Sequence, residues 1–530
     1  MTDLVSLLEA SFTQHAARTA LRVADVNLTY HELQGRVYHL TAFLVQHQVK
    51  TVAVLGYRSA EVEATLLACL YARTTYVPLN PRFPHERCNN MMANAQVDAL
   101  IVCPECAQYA QDLSIPAHTL VFTDDTSDGL LRTQHSDWTI VSIGSFASTQ
   151  AQCPPLPAYA EHKSIYIIYT SGTTGEAKGV LISYRAFTLY LLKVLRLYQF
   201  TADDVFSQMF EITFDLSLQD LLSAILSGGT LVPIPKKVLF APISVIKRYG
   251  ITVFHSVPSV VGYMDKIQVL APNLLPSVRL SLFVGEPLWY EQVQLWGQTC
   301  PHSKIINTYG PTETTVIIAT YLAFDPAKQE LKELPEHGRV PLGNTLEHAA
   351  YSLRDEQQHV VPAGTQGEIY LSGDQMGDGY LGSPQKTAAA FVELEGTIWY
   401  RTGDLGLVEQ HEGKPLLTFC GRCNDEVKVN GFRVSLLEVD ECLQQLAGVR
   451  ALALPVRDEF SLVHGIIGVL ETTDLQLCAT VQKQIVSKLP FYMVPQAIRA
   501  CDNFPLNANG KLDRKALLQL IKDRGELTLG

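Results

Sequence analysis

Tyr169-Thr170-Ser171-Gly172-Thr173-Thr174-Gly175-Glu176-Ala177-Lys178-Gly179 is the stretch on which the reading of this chain turns. An apolar run of β type, Ile165-Tyr166-Ile167-Ile168-Tyr169, leads into it; Val180-Leu181-Ile182 and a helical pattern lead out. Between them lie three glycines, four hydroxyl side chains and one lysine. Glycine lets backbone N–H groups approach an anion closely. Hydroxyls add donors, and the lysine adds a mobile positive charge. The set suits a polyphosphate, although composition alone also describes an ordinary surface turn. The Gly-x-x-x-x-Gly-Lys-Ser/Thr spacing of a Walker A loop is absent, so phosphate held here sits in another kind of site.

The totals narrow the classes. A chain of 530 residues suggests roughly three or four units of about 150 residues. Hydrophobic residues make up 47% and charged residues 18%, as in a well-packed globular protein. A net charge of −12 argues against nucleic acid or an anionic membrane as the main partner. No apolar run approaches the ~18 residues needed to cross a bilayer. Asp3 precedes Leu4, Leu7, Leu8 and Phe12 at helical spacing, which is not a signal peptide. The eleven cysteines are odd in number and scattered, and read as reduced thiols of a cytoplasmic protein. The pairs Cys103/Cys106 and Cys420/Cys423 lie too far apart, without a supporting Cys/His cluster, to argue for zinc.

Strand and helix patterns alternate up to about residue 160. Leu28-Thr29-Tyr30-His31-Glu32-Leu33 reads as a strand end entering a helix, with Thr29 as N-cap and Glu32 three residues on. Residues 51–56 read as a buried strand, 61–71 as an apolar helix, 75–81 as a strand entering a proline turn, and 99–103 and 118–122 as further strands. This alternation predicts a largely parallel α/β sheet. The polar segment 124–158 reads as a loop leading to the phosphate stretch. From residue 183 the alternation repeats, with strands at 251–256, 280–284 and 304–308. Beyond about residue 335, short alternating runs such as Gly367-Glu368-Ile369-Tyr370-Leu371-Ser372-Gly373 predict a smaller β subdomain. Residues 421–426 turn charged between two β-type segments and read as a boundary and hinge. The remainder mixes helices at 436–446 and 480–489 with strands at 452–456 and 465–471, as in a small α+β domain.

Further motifs join the opening stretch. Asn307-Thr308-Tyr309-Gly310-Pro311-Thr312-Glu313-Thr314-Thr315 follows a strand and supplies an aromatic face, hydroxyls and a carboxylate. Tyr400-Arg401-Thr402-Gly403-Asp404-Leu405 puts a carboxylate in a turn. Gly421-Arg422 and Lys428-Val429-Asn430-Gly431-Phe432-Arg433 add positive charge at the hinge. Each alone is weak, since an Asp in a turn is more often a backbone cap. In this order they resemble the adenylate-forming superfamily, and more closely the amino-acid adenylation domains of nonribosomal peptide synthesis. The resemblance runs from Leu28-Thr29-Tyr30 to Gly510-Lys511-Leu512-Asp513-Arg514, nearly the whole chain.

That resemblance implies an α/β fold. A large N-terminal domain (1–423) of two α/β subdomains plus a small β subdomain is followed by a small mobile α+β domain (424–530). It also implies roles. Thr170, Ser171, Gly172, Thr173, Thr174, Gly175 and Lys178 handle the β- and γ-phosphates of ATP. Tyr309 lies on the adenine face, with Asn307, Thr308 and the Gly285-Glu286-Pro287 turn bordering the base. Thr312 serves the α-phosphate and Glu313 holds Mg²⁺, a hard cation that takes few carboxylates plus phosphate oxygens. Asp404 binds the ribose hydroxyls, with Arg422 nearby. Lys511 is the catalytic lysine that bridges the substrate carboxylate and the α-phosphate. The implied reaction joins an amino-acid carboxylate to AMP, releases pyrophosphate, and passes the acyl group to a phosphopantetheine thiol. The hinge residue, usually Asp in the family, is Asn424 here. Asp378 stands where the family often has Arg, and no function is drawn from it.

Phe214-Asp215-Leu216-Ser217-Leu218-Gln219-Asp220 resembles the motif that opens the family's amino-acid pocket. Asp215 would pair with the α-ammonium, a partner that the fatty or aryl acids of coenzyme A ligases lack; a buried carboxylate left unpaired is costly. By alignment the other wall positions are Leu216, Gln219, His255, Leu282, Val284, Thr308, Val316 and Ile317. No acid among them faces a cationic side chain, so Lys and Arg are disfavoured. Asp-Leu-Gln resembles proline-activating pockets, which usually begin Asp-Val-Gln, and proline is compact and apolar. A Gln-like side chain meeting Gln219 and His255, or a small aliphatic one, is the alternative; His255 reads equally as a satisfied histidine behind the wall. The chain ends at Gly530, soon after Lys511. The expectation is a stand-alone ligase that loads a carrier protein in trans, with a coenzyme A ligase of the same superfamily as the competing class.

Overall fold

Two large sheets, a small β subdomain and a C-terminal α+β domain make up the computed structural model. It describes residues 3–526 apart from 24, 25, 117, 136, 172–176, 329–337, 412, 413, 424, 459–461 and 506–511. Gly172, Thr173, Thr174, Gly175, Asn424 and Lys511 therefore lie outside the described residues.

The first sheet runs Gly379–Tyr380, Lys178–Ser183, Ser164–Thr170, Thr75–Leu79, Thr51–Leu55, Ala99–Val102, Leu120–Thr123, Thr139–Ser142. From Ser164–Thr170 outward the pairing is parallel. Lys178–Ser183 returns antiparallel along Ser164–Thr170, so the opening stretch starts and ends on paired strands, at the carboxyl end of Ser164–Thr170. The second sheet is parallel through Thr230–Pro233, Val205–Gln208, Val253–Ser256, Leu280–Val284 and Lys304–Tyr309. Strands buried on both faces read as continuous apolar runs, as Leu280-Ser281-Leu282-Phe283-Val284 does.

Two sequence expectations change. Residues 19–29 do not join the first sheet; they form the edge of the second, with Leu21 beside Leu231. Tyr30 fixes this crossover: its buried hydroxyl donates to the carbonyl of Gly229 at 2.7 Å. The hairpin also covers what would be an open edge of Thr230–Pro233, a hazard for any sheet. The segment 124–158 is not all loop. Asp124 caps a helix, Asp125–Gln134, by accepting from Ser127 N–H, and Thr139–Ser142 closes the first sheet. By contrast, Thr29 and Glu32 form the reciprocal capping box that their spacing predicts.

The β subdomain pairs Ala349–Arg354, Gly367–Gly373, Thr397–His411 and Phe391–Leu394, with Lys414–Arg422 along the long strand. Its last strand hands the chain to the C-terminal domain. There Phe432–Ser435, Glu426–Val429, Val463–Glu471, Ala451–Arg457 and Ala497–Cys501 form one sheet with two apolar clusters of its own. Among the described residues no helix is long and apolar enough to cross a membrane. The carboxyl ends of both parallel sheets open toward one place, where open α/β sheets bind ligands.

Removing the capping box should be visible. Thr29→Ala should cost about 1 kcal/mol, read as a lower urea midpoint; an unchanged midpoint would show the cap to be idle.

Candidate active site

The site is assembled from buried acids. Asp215 opens the helix Asp215–Ser227. It is 4% exposed, and its Oδ2 has no hydrogen-bond partner among the described residues. Burial pushes its pKa up to about 7, against the pull of the Val316 and Leu216 backbone N–H groups and the Thr312 hydroxyl. The helix N-terminus favours a carboxylate here, but desolvation outweighs it.

Opposite Asp215, the strand Lys304–Tyr309 runs into a tight reversal. Gly310 is obligatory: a Cβ there would stand 2.5 Å from the Val316 carbonyl oxygen and the Ile317 Cα. Thr315 and Val316 both take left-handed backbone, φ 60° and 63°, which is costly for non-glycine and worst for a β-branched residue. Thr312–Thr314 forms a single 3₁₀ turn that presents Glu313. Glu313 Oε1 accepts from the Tyr380 hydroxyl at 2.9 Å and lies 3.3 Å from Arg433. Its Oε2 has no hydrogen-bond partner among the described residues, which leaves a buried carboxylate oxygen that suits a hard cation.

Asp404 and Arg422 face each other across two paired strands, with Arg422 Nε 3.3 Å from Asp404 Oδ1. The Tyr309 hydroxyl donates to Asp404 Oδ2 at 2.7 Å. Arg422 also reaches Glu426 at 2.7 Å, across the segment 423–426 that links the domains. Beyond it, the hairpin made by Glu426–Val429 and Phe432–Ser435 enters the site. Gly431 N–H donates to Glu286 Oε1 at 2.8 Å, and the Ser171 hydroxyl donates to the Arg433 carbonyl at 2.9 Å. Gly431, φ 83°, leaves no room for a Cβ, which would meet Val257 at 2.6 Å. Burial opposes the charge on Arg433, but Glu426 and Glu313 together hold its pKa well above the usual value. The Phe432 ring lies 4.7 Å from Phe214 and stacks on Tyr492 at 4.2 Å.

These groups enclose a cavity of about 110 Å³. Asp215, Leu216, Val284 and Val316 line it together with Thr170, Ser171 and Gly285. Tyr309, Thr312, Asp404 and Arg422 complete that side. Other expected residues are buried behind the wall. Gln219 accepts the Tyr190 hydroxyl, and His255 Nδ1 pairs with Asp220 at 2.7 Å. Thr308 donates to the Phe283 carbonyl, Asn307 to the Pro341 carbonyl, and Leu282 and Ile317 sit in the apolar core. Glu286 accepts from Ser259 N–H and Gly431 N–H. Pro287 borders an outer groove beside the C-terminal domain. Lys178 hovers 5.2 Å above the Tyr380 ring, its pKa lowered by burial and then by Arg433.

Sequence reasoning placed charge at 428–433 but did not foresee that Lys428, Gly431, Phe432 and Arg433 would line the same cavity as Asp215. It also missed Tyr380, the partner of Glu313. A hairpin's inward fold leaves no local signal; the only pointer was charge set among β-type residues.

Known proteins share parts of this sequence and its overall fold. The model of the family described as AMP-binding enzyme matches residues 8–381. The D-alanine–D-alanyl carrier protein ligase of Bacillus cereus (strain G9842) is 27% identical over 531 residues, covering 98% of this chain and 99% of that protein. A plipastatin synthase polypeptide of Bacillus subtilis (strain 168) is 29% identical over 533 residues, covering 97% of this chain and 19% of that much longer protein. The crystal structure of the Vibrio cholerae adenylation domain AlmE with glycyl-adenosine-5'-phosphate superposes with a TM-score of 0.88 at 26% identity, covering 99% of this chain and 98% of that one.

The reversal after Tyr309 is testable directly. Gly310→Ala forces a methyl onto backbone atoms that cannot yield, and should cost about 1–3 kcal/mol by urea denaturation. A neutral substitution would mean that the loop packs differently.

Proposed function

The chain belongs to the AMP-binding enzyme family, and on that premise we propose that it activates an amino acid with ATP and passes it to the phosphopantetheine thiol of a carrier protein. The observation that carries this reading is Asp215. A buried carboxylate with an unpartnered oxygen on the cavity wall supports a substrate that brings its own cation, an α-ammonium. An acyl chain without nitrogen would leave that carboxylate uncompensated.

In the first step a carboxylate oxygen of the amino acid attacks the α-phosphorus. A P–O bond to the β-phosphate breaks, and aminoacyl-AMP and pyrophosphate form. Both reactants are anions, so positioning and charge neutralisation carry the catalysis. We assign the pyrophosphate to the loop Thr170–Gly175 with Lys178, the adenine to the Tyr309 face bordered by Asn307 and Gly285–Pro287, the α-phosphate to Thr312, and the ribose hydroxyls to Asp404 with Arg422. Lys511 joins the reacting carboxylate to the α-phosphate. The open oxygen of Glu313 fits Mg²⁺, which when bound would offset phosphate charge. In the second step the thiol sulfur attacks the acyl carbonyl and AMP leaves.

The hairpin carrying Arg433 fills the side of the cavity where Glu313 lies. We propose that rotation of the C-terminal domain about Asn424 exchanges this hairpin for the loop bearing Lys511. The similarity to a carrier protein ligase supports a carrier rather than free coenzyme A as acceptor. A cytoplasmic setting accords with cysteines that are all unpaired.

For the amino acid, the aliphatic wall of Leu216, Val284 and Val316 supports a compact apolar side chain. Proline is the first candidate and a small aliphatic residue the second. Gln219 Oε1 and His255 Nδ1 are engaged by Tyr190 and Asp220, and neither residue lines the cavity, which weighs against a Gln-like side chain.

Amino-acid-dependent pyrophosphate exchange tests these assignments. Proline should give the strongest exchange; activation of glutamine or leucine with proline inert would remove it. Lys511→Ala should lower the adenylation rate by about 10²-fold or more, whereas Lys178→Ala should act mainly on the KM for ATP. Normal exchange by Lys511→Ala would overturn its role. Asp215 must be ionised to pair with the ammonium, so affinity is lost as pH falls through about 7. The KM for the amino acid should then rise by about tenfold per unit. Asp215→Asn should give a high KM without that slope; a wild-type KM that stays flat from pH 8 to 5.5 would sink the pairing.

A further inference from the structure

Gln375 lies in the small β subdomain, two residues past the strand Gly367–Gly373, and neither its sequence context nor the reaction above draws attention to it. It is fully buried. Its side-chain Nε2 donates to the carbonyls of Ile317 at 2.8 Å, Thr314 at 3.0 Å and Thr315 at 3.3 Å. Its Oε1 accepts from Lys193 Nζ at 3.2 Å, and Lys193 is itself paired with Asp374. An ammonium can only donate, so Lys193 fixes which end of the amide faces the carbonyls. The Gln375 backbone carbonyl accepts the Thr315 hydroxyl in return.

We propose that Gln375 is a positioning residue for the amino-acid pocket, clamping the left-handed turn Thr315–Val316 so that Val316 is held in the wall beside Asp215. The proposal rests on the reading of that cavity as the amino-acid site. The turn needs such a clamp for three reasons. Thr315 and Val316 stand at positive φ without being glycine. The residues after Gly310 are pressed onto it. The carbonyls of Thr314 and Thr315 precede the strand Ala319–Phe324 and so lie outside its ladder; buried carbonyls left unmatched are costly. One amide answers these carbonyls at once. The turn it fixes delivers two things to the pocket: the Val316 side chain on the cavity wall, and the Val316 backbone N–H, one of the groups that favour the ionised Asp215. Lys193 and Asp374 extend the support outward, so the pocket's inner wall is tied to the β subdomain.

The full-length chain is compared with Gln375→Met, which keeps the volume and loses the donors, and Gln375→Glu, which keeps the shape and cannot donate to carbonyls. Hydrogen–deuterium exchange of the peptide spanning 312–318 reads the clamp without reference to activity; both variants should lose protection there. In pyrophosphate exchange the KM for the amino acid should rise by about tenfold or more, with the KM for ATP within about twofold, since each buried bond lost to a carbonyl is worth roughly a factor of ten. Thr315→Gly added to Gln375→Met should lower the amino-acid KM again, because glycine accepts the left-handed turn without strain. A role confined to general stability predicts a lower Tm, a parallel rise of both KM values and no rescue. If Gln375→Met does not fold, Thr315→Val removes only the hydroxyl given to Gln375 and should show the same pattern at smaller size. Unchanged protection of 312–318, or lost protection with an unchanged amino-acid KM, overturns the proposal. Should the wild-type chain activate no amino acid at all, the assignment of the pocket falls while the exchange experiment still decides the clamp.

Discussion

Carboxylates buried around one cavity are the constraint around which this molecule is built. Asp215, Glu286, Glu313 and Asp404 are each less than a tenth exposed. A buried charge is tolerated when it is paired and hydrogen-bonded, and the chain meets that demand from its last quarter. Arg422 answers Asp404, Arg433 answers Glu313, and Gly431 N–H answers Glu286. Asp215 receives no cation from the described residues, and burial without one raises its pKa. Among the described residues, Asp404, Glu313 and Glu286 thus each take a partner from the protein and Asp215 takes no cation, although one oxygen of Glu313 stays open as well.

The same pairing explains how the C-terminal domain is held and, on the rotation proposed above, how it would leave. The contacts from the hairpin are directional and polar, and Phe432 supplies an apolar plug against Phe214. Such a clasp can be released if another cation takes the place of Arg433 at Glu313. A larger apolar interface would hold the domain shut, because hydrophobic burial offers no competitor of this kind. Arg422 ends the last strand of the β subdomain and has one contact on each side of the link, Asp404 before it and Glu426 after it.

How legible was this in the sequence? The strand at 280–284 and the helix start at Thr29 were readable because local pattern and tertiary role coincide there. The edge hairpin at residues 19–29 was not, since strand order is decided by long-range pairing such as Leu21 beside Leu231. Asp125–Gln134 was obscured because its polar composition resembles loop, although Asp124 at its start is an ordinary N-cap. For the site, the motifs brought Thr170, Tyr309, Thr312, Asp404 and Asp215 into one cavity. The inward hairpin and Gln375 escaped, because neither stands in a segment whose own residues announce the contact.

The wall of the amino-acid pocket shows why composition alone misleads about specificity. Gln219 and His255 are polar letters, and counted as such they suggest a polar substrate. Yet Gln219 accepts from Tyr190, and His255 pairs with Asp220 while packing its ring 4.9 Å from Phe210. Hydrogen-bonding capacity already used inside the protein is not available to a ligand, and redirecting it would strand the Tyr190 hydroxyl or the Asp220 carboxylate in the interior. Neither Gln219 nor His255 lines the cavity, whose wall offers the Asp215 carboxylate with the aliphatic surface of Leu216, Val284 and Val316 beside it. That wall is why the proposed substrate is a compact apolar amino acid, its ammonium assigned to the carboxylate and its side chain to the aliphatic surface.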